Sequence, residues 1–277
     1  MSYKTILVHL NDMRRAEAML EPAVELATRY NSHLKGLHVD TIMAAPPLAF
    51  TYATSGLGPA AAEERTNGEA IAAIFARMTA TGACVAEWQR LKVPQGDLVS
   101  LVLEHGRTAD LIVAGQVNPD WDLSPVFDFP ERLALESGRP VLVIPYVGRY
   151  PRIGRNVVIA WKAGRETTRA VFDALPLLKG AENVHVLEVV GRADEKSLGA
   201  DSSIAASFAR HGIKPNIRTS IAPDISVGDE ILSRLSDLDA DLLVMGAYGH
   251  SRMRELVFGG VTRHIARHMT VPTLFSH

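Results

Sequence analysis

Residues Ala240–Gly246 read ADLLVMG, and residues Ala109–Gly115 read ADLIVAG. Each is a short continuous apolar run bounded by an aspartate and a glycine, the pattern of a strand buried on both faces. Two further echoes flank this pair. Lys4–Leu10 (KTILVHL) returns as Asn156–Trp161 (NVVIAW), and Arg139–Pro145 (RPVLVIP) returns as Val271–His277 (VPTLFSH). All three keep their order. The period is much too long for a solenoid repeat, so the chain is a duplicated domain. A length of 277 residues agrees, because a domain averages roughly 100–200 residues. Tyr146–Arg155 (YVGRYPRIGR) has no apolar periodicity and marks the boundary, giving domains 1–147 and 154–277.

Within each half, apolar runs alternate with helical patterns. In the first, strands are expected at Lys4–Leu10, His33–Asp40, within Cys84–Val93, at Leu111–Ala114 and at Val141–Ile144. Helices carry Ala16, Met19, Leu20, Ala23, Ala27 and Tyr30, then Ile71, Ile74, Phe75 and Met78, and another starts near Asp97. The second half repeats the scheme, with strands near Val157–Ala160, Val184–Val190, Asn216–Ile221 and Leu242–Met245. Its helices run over Ala170–Leu178, near Ser202–Arg210, from Ser226, and over Val261, Ile265 and Met269. Such alternation predicts an α/β fold: two tandem five-stranded parallel-sheet domains, each sheet covered on both faces by helices. The halves are expected to be related by a pseudo-two-fold axis, with separate sheets and the last strands of each, Val141–Ile144 and Thr273–Ser276, in contact. Thr41–Ala61, low in charge and rich in Ala and Pro, reads as an irregular insertion or lid, or as a plain long loop.

The composition excludes several classes. Lys and Arg total 29 against 31 Asp and Glu, with none of the basic excess expected of a dedicated nucleic-acid binder. Cys84 is the only cysteine, so neither an internal disulfide nor a cysteine metal cluster forms. No window approaches a membrane span, and the N-terminus shows no signal-peptide pattern. A cytoplasmic protein is the expectation.

Chemistry concentrates after the fourth strand of the second half. The segment runs Gly246, Ala247, Tyr248, Gly249, His250, Ser251 and Arg252 onward to Gly259, Gly260, Val261 and Thr262. Its pattern is Gly, two residues, Gly, nine residues, Gly, Gly, between a strand and a helix. Glycines permit positive φ and close backbone approach, consecutive amides form an anion-holding nest, and the next helix adds its N-terminal amides and dipole. Neither a Walker motif nor G-x-G-x-x-G is present.

This segment closely resembles the signature of the nucleotide-binding branch of the universal stress protein family, which ends in Gly followed by Ser or Thr. The resemblance implies the adenine-nucleotide alpha hydrolase-like fold in both halves and a nucleotide site in the second. It implies phosphate and ribose contacts at Gly246, Gly249, Gly259, Gly260 and Val261, with His250 beside the phosphates, and adenine contacts at Val189 and Met245. Two positions depart. Gly260 replaces the family's Ser or Thr, with Thr262 the nearest hydroxyl. Lys162 stands where the family carries Asp at the end of the first strand.

The first half lacks the glycines. Its loop runs Gly115, Gln116, Val117, Asn118, Pro119, Asp120, Trp121, Asp122 and on to Asp128, and its carboxylates would repel phosphate. That domain is expected to pack on its partner or bind something else. His264 and His268 have the i, i+4 spacing of zinc ligands, but no acidic third ligand has fitting spacing, and a solvated helix face near a C-terminus is favoured. Arg252 and Arg254 read equally as phosphate contacts or salt-bridge partners, and Glu255 as their structural partner. Cys84 reads as a packing residue, and Trp161 and Tyr248 read as packing residues first, with flanking a ligand ring as the alternative. No catalytic constellation and no metal site is legible.

The expected function is that of a universal stress protein that binds an adenine nucleotide, ATP first, and acts by ligand-dependent interaction with a protein partner. The alternatives are a slow Mg²⁺-dependent ATP hydrolase and a stress interaction protein without nucleotide. The expected assembly is an intrachain pseudo-dimer, with homodimerisation of the whole chain left open.

Overall fold

The computed structural model of the chain describes residues 2–41, 57–80, 84–93, 98–118, 129–191, 202–222, 224–248 and 260–277. The strands of the first half are β1 (Thr5–His9), β2 (His33–Thr41), β3 (Val85–Val93), β4 (Leu111–Gly115) and β5 (Val141–Ile144). The helices between them are α1 (Met13–Tyr30), α2 (Leu57–Thr79), α3 (Leu98–Gly106) and α4 (Phe129–Glu136). The second half supplies β6 (Asn156–Ala160), β7 (Asn183–Gly191), β8 (Asn216–Ala222), β9 (Leu242–Gly246) and β10 (Thr273–Ser276). Its helices are α5 (Arg165–Asp173), α6 (Leu175–Lys179), α7 (Ser202–Arg210), α8 (Val227–Asp237) and α9 (Val261–His268).

Every expected strand is present, and each half is a parallel five-stranded sheet. The expectation of two separate sheets is overturned. The halves join edge to edge into one ten-stranded sheet of order β3-β2-β1-β4-β5-β10-β9-β6-β7-β8. The seam is the expected contact of last strands, β5 against β10, and it is the antiparallel pair of the sheet. Leu142 lies opposite Leu274, with Val143 opposite Thr273 and Val141 opposite Phe275. In the sequence repeat Leu142 and Leu274 are equivalent, so the pseudo-dyad passes between them, as in an isologous dimer interface. Joining the sheets removes two unpaired strand edges.

The pleat sends alternate residues into two cores. Ile6, Val8, Val157 and Ile159 face α1, α2, α5, α6 and α7 in one core, while Leu7, Val158, Leu187 and Leu243 face α3, α4, α8 and α9 in the other. Both cores run through both halves. Three readings needed revision. Leu57–Ala61 lies inside α2 rather than in an irregular insertion, while residues 42–56 lie outside the described residues. The single helix expected over Ala170–Leu178 breaks at Ala174, with Pro176 opening α6. Helix α4 was not read from the sequence.

The aspartate that opens each repeated motif has a structural task. Asp110 Oδ2 accepts from the backbone N–H groups of Lys4 (2.7 Å) and Thr5 (3.0 Å). Asp241 does the same for Gly154, Arg155 and Asn156 at 2.9–3.1 Å. A carboxylate thus ties the start of the fourth strand of each half to the start of its first, satisfying backbone donors ahead of the ladder. The segment 145–155 between β5 and β6 is bolted to both halves. Arg15 donates to the carbonyls of Pro145 and Gly148, Arg29 to that of Ile153, and Tyr150 to that of Thr270.

Candidate functional site

In the second half β6 sits between β9 and β7, so the chain leaves β6 toward one side and later crosses to the other. The crevice at such a switch point, beyond the carboxyl ends of the strands, is where ligands of open α/β sheets bind. Ala160, the last residue of β6, pairs with Met245 on one side and Leu187 on the other. Trp161-Lys162 and Gly246-Ala247-Tyr248 therefore emerge side by side. Met245, Ala160 and Val189 belong to the same apolar cluster on the α8/α9 face of the sheet. That places the two expected adenine contacts on one apolar floor, Met245 buried and Val189 half-buried.

Gly246 has a packing reason for being glycine. A Cβ there would stand 2.5 Å from the Thr167 nitrogen and 2.6 Å from the Glu166 carbonyl carbon, both backbone atoms of the first turn of α5. Tyr248 then turns with φ +55°, the left-handed region, and its N–H donates to Thr262 Oγ1 at 3.2 Å. The Thr262 side chain is 5% exposed, so the nearest hydroxyl to Gly260 staples the start of the loop to α9. Gly260 caps α9 with extended backbone (φ −54°, ψ 150°) and no side-chain capping bond. The first turn of α9 contains no acidic residue, so its own side chains do not neutralise the helix dipole there. Val261 begins this helix. Gly249, His250, Ser251, Arg252, Arg254, Glu255 and Gly259 lie outside the described residues.

Of the neighbouring candidates, Lys162 is exposed after β6. Trp161 is 8% exposed in the first core and its N–H donates to the Leu187 carbonyl, so it packs as expected. Cys84 is half-buried against the same core, and burial raises its thiol pKa. His264 has an acidic neighbour that sequence spacing does not reveal. Asp229, on α8, places Oδ1 2.9 Å from His264 Nε2, and the His264 and His268 rings lie 4.5 Å apart. Only packing of α8 on α9 creates this contact. Among the described residues no group of three His, Cys, Asp or Glu side chains is arranged to hold a metal, and no helix is long and apolar enough to cross a membrane.

A residue the sequence reading left without a role is Gln116, in the degenerate loop of the first half. It is 7% exposed. Its amide nitrogen donates to the carbonyls of Ala266 (3.0 Å) and Arg267 (2.9 Å), and its oxygen accepts from the Tyr146 N–H (3.0 Å). The first domain thereby caps the C-terminus of α9, the helix that follows the glycine segment in sequence. The signal available in sequence was a polar residue following a buried strand, with no hint of its partner.

The Universal stress protein family matches residues 155–277. No curated protein matches the chain. A universal stress protein from Archaeoglobus fulgidus DSM 4304 superposes with a TM-score of 0.73 at 15% identity, covering 98% of this chain and 95% of that one. A candidate universal stress protein from Pseudomonas aeruginosa UCBPP-PA14 gives a TM-score of 0.57 at 16% identity, covering 99% and 93%. A universal stress protein solved in complex with cAMP matches 44% of this chain and 97% of that one, with 18% identity and a TM-score of 0.34. The second half of the chain, residues 155–277, thus matches the universal stress protein family, and the chain over its whole length has the fold of these structures.

Proposed function

We propose that the second domain binds an adenine nucleotide, ATP first, and that the protein serves stress adaptation by interacting with a protein partner according to its ligand. One observation carries the reading. The segment Gly246–Thr262 follows β9 at the switch point and leads into α9, whose N-cap is a glycine and whose first turn carries no acidic residue. Phosphate would lie against Gly249, Gly259, Gly260 and the first amides of α9, with His250 beside it. The base would lie on Met245 and Val189, and Mg²⁺ would accompany the phosphates where they are hydrolysed. The site is a binding site rather than a catalytic centre, the cytoplasm is its place of action, and the domains divide at 147 and 154.

The test is calorimetry with ATP, AMP and cAMP on the parent chain and on two variants. Gly249→Val with Gly259→Val places Cβ atoms where phosphate must approach backbone, and is expected to abolish binding in a chain still folded by circular dichroism. Asn118→Val, in the first-half loop, is expected to leave affinity unchanged. Equal affinity in the folded double variant, or a larger loss with Asn118→Val, would overturn the assignment.

A further inference from the structure

The switch point of the first half has a crevice of its own, at the carboxyl ends of β1, β4 and β5. Its walls include His9, Asn11, Arg15, Gln116, Ile144 and Phe129, around a small space of about 40 Å³ that opens to solvent.

Two groups in it have unspent binding capacity. His9 is 3% exposed and packs against the Phe129 ring at a centroid distance of 4.8 Å. Burial first, and then the nearby His38, lower its pKa to about 3 against a smaller opposing pull from the Asn11 side chain, so the ring is neutral across the physiological range. Its Nε2 is buried and has no hydrogen-bond partner among the described residues. Buried polar atoms are almost always paired, and an orphan marks a place where a bonding group from outside the chain belongs. The second group is Arg15. Its terminal nitrogens donate to the carbonyls of Gly148 (3.1 Å) and Pro145 (2.7 Å). Among the described residues no carboxylate stands within ion-pair distance of it; burial disfavours its charge, and the Asp12 carboxylate in the same crevice offsets that only in part. A half-buried cation held rigidly by neutral acceptors retains attraction for an anion.

Among the other polar walls, Asn11, Gln116 and Asp12 are occupied: the Asn11 amide donates to the Val39 carbonyl and its oxygen accepts from the Val39 N–H. All three hydrogen-bonding groups of Gln116 are used within the protein. Asp12 accepts from the Arg14 N–H as the α1 cap and pairs with the Arg14 side chain. We propose that this crevice is a second ligand site, for a small hydroxycarboxylate, with the carboxylate on Arg15 and the hydroxyl on His9 Nε2. A hydroxyl both donates and accepts, so it satisfies the imidazole in either tautomer. Phe129, Met19 and Ile144 cover the apolar part of such a molecule. The site is independent of the nucleotide reading of the second domain.

The test uses the full chain labelled with ¹⁵N-histidine and titrated with sodium lactate at constant ionic strength. Lactate is expected to shift the His9 ring resonances saturably at millimolar concentration. Acetate, which lacks the hydroxyl, is expected to bind about fivefold more weakly, the worth of one hydrogen bond. By calorimetry, His9→Phe and Arg15→Gln are each expected to weaken lactate by about tenfold or more in chains folded by circular dichroism. Arg15→Lys, which keeps the charge, is expected to retain part of the affinity and covers the case in which Arg15→Gln fails to fold. No saturable shift up to about 50 mM lactate, far above the millimolar range expected of so small a ligand, would overturn the proposal. So would equal binding of acetate and lactate, unchanged affinity in both variants, or preferential shift of His9 by AMP.

Discussion

Gln116→Leu is the perturbation that most directly tests how the two domains are joined. Leucine keeps most of the side-chain volume and removes one acceptor and both donors. Two carbonyls at the end of α9 and the Tyr146 N–H lose their partner together. A net hydrogen bond is worth about 0.5–1.5 kcal/mol, and a buried group left unpaired costs about 1–3 kcal/mol. Three such bonds at a position 7% exposed, with water able to reach the Arg267 carbonyl, give an expected loss of about 2–4 kcal/mol. The thermal midpoint should fall by roughly 4–16 °C, since domains of 150–250 residues shift by about 2–4 °C per kcal/mol. Urea unfolding followed by circular dichroism and by the fluorescence of Trp88 in the first half and Trp161 in the second reads both domains. Because the sheet is continuous, the two probes should move together. Arg155→Ala, which removes an exposed ion pair with Glu182, is the control and should lie within the error of the measurement. A loss below about 1 kcal/mol in Gln116→Leu would show that water replaces the amide and that the first domain does not hold α9.

Gly246→Ala places a Cβ against the backbone of Glu166 and Thr167, so α5 must shift; a stability loss of about 1–3 kcal/mol is expected in thermal melts without any nucleotide. An unchanged midpoint would mean α5 moves back freely. Removing residues 271–277 takes out β10, which pairs with both β5 and β9, and should lower the midpoint of the whole chain; an unaltered melt of both halves would contradict the shared seam. His9, with a folded pKa of about 3 against about 6.5 unfolded, stays neutral while the unfolded chain takes up a proton. Its contribution to stability is complete above pH 6.5 and is lost as pH falls toward 3. Between pH 7 and pH 5 the parent should therefore lose about 2 kcal/mol more stability than His9→Phe, and parallel pH profiles in urea titrations would refute the buried neutral ring.

The amino-acid sequence determined the elements and their duplication, because these depend on local pattern. Continuous runs such as Ile6–Val8 and Leu242–Met245 are strands buried on two faces whatever surrounds them, and glycines between a strand and a helix mark a loop for a close ligand. The same locality hid what lies far apart along the chain. Nothing in Val141–Ile144 or Thr273–Ser276 says that they pair in antiparallel register through Leu142 and Leu274, since apolar edges of this kind suit either two sheets or one. Thr262 is the hydroxyl nearest Gly260 in sequence, with no direction legible there, and the tertiary structure turns it onto the Tyr248 N–H. Asp229 and His264 are too distant in sequence to be read as a pair, yet α8 and α9 bring them to 2.9 Å. Gln116 and the end of α9 are 150 residues apart, and a polar side chain beside a strand names no partner. Hydrophobic burial is encoded by periodicity within a segment, whereas hydrogen bonds between segments depend on directions that exist only once the sheet has closed about its dyad.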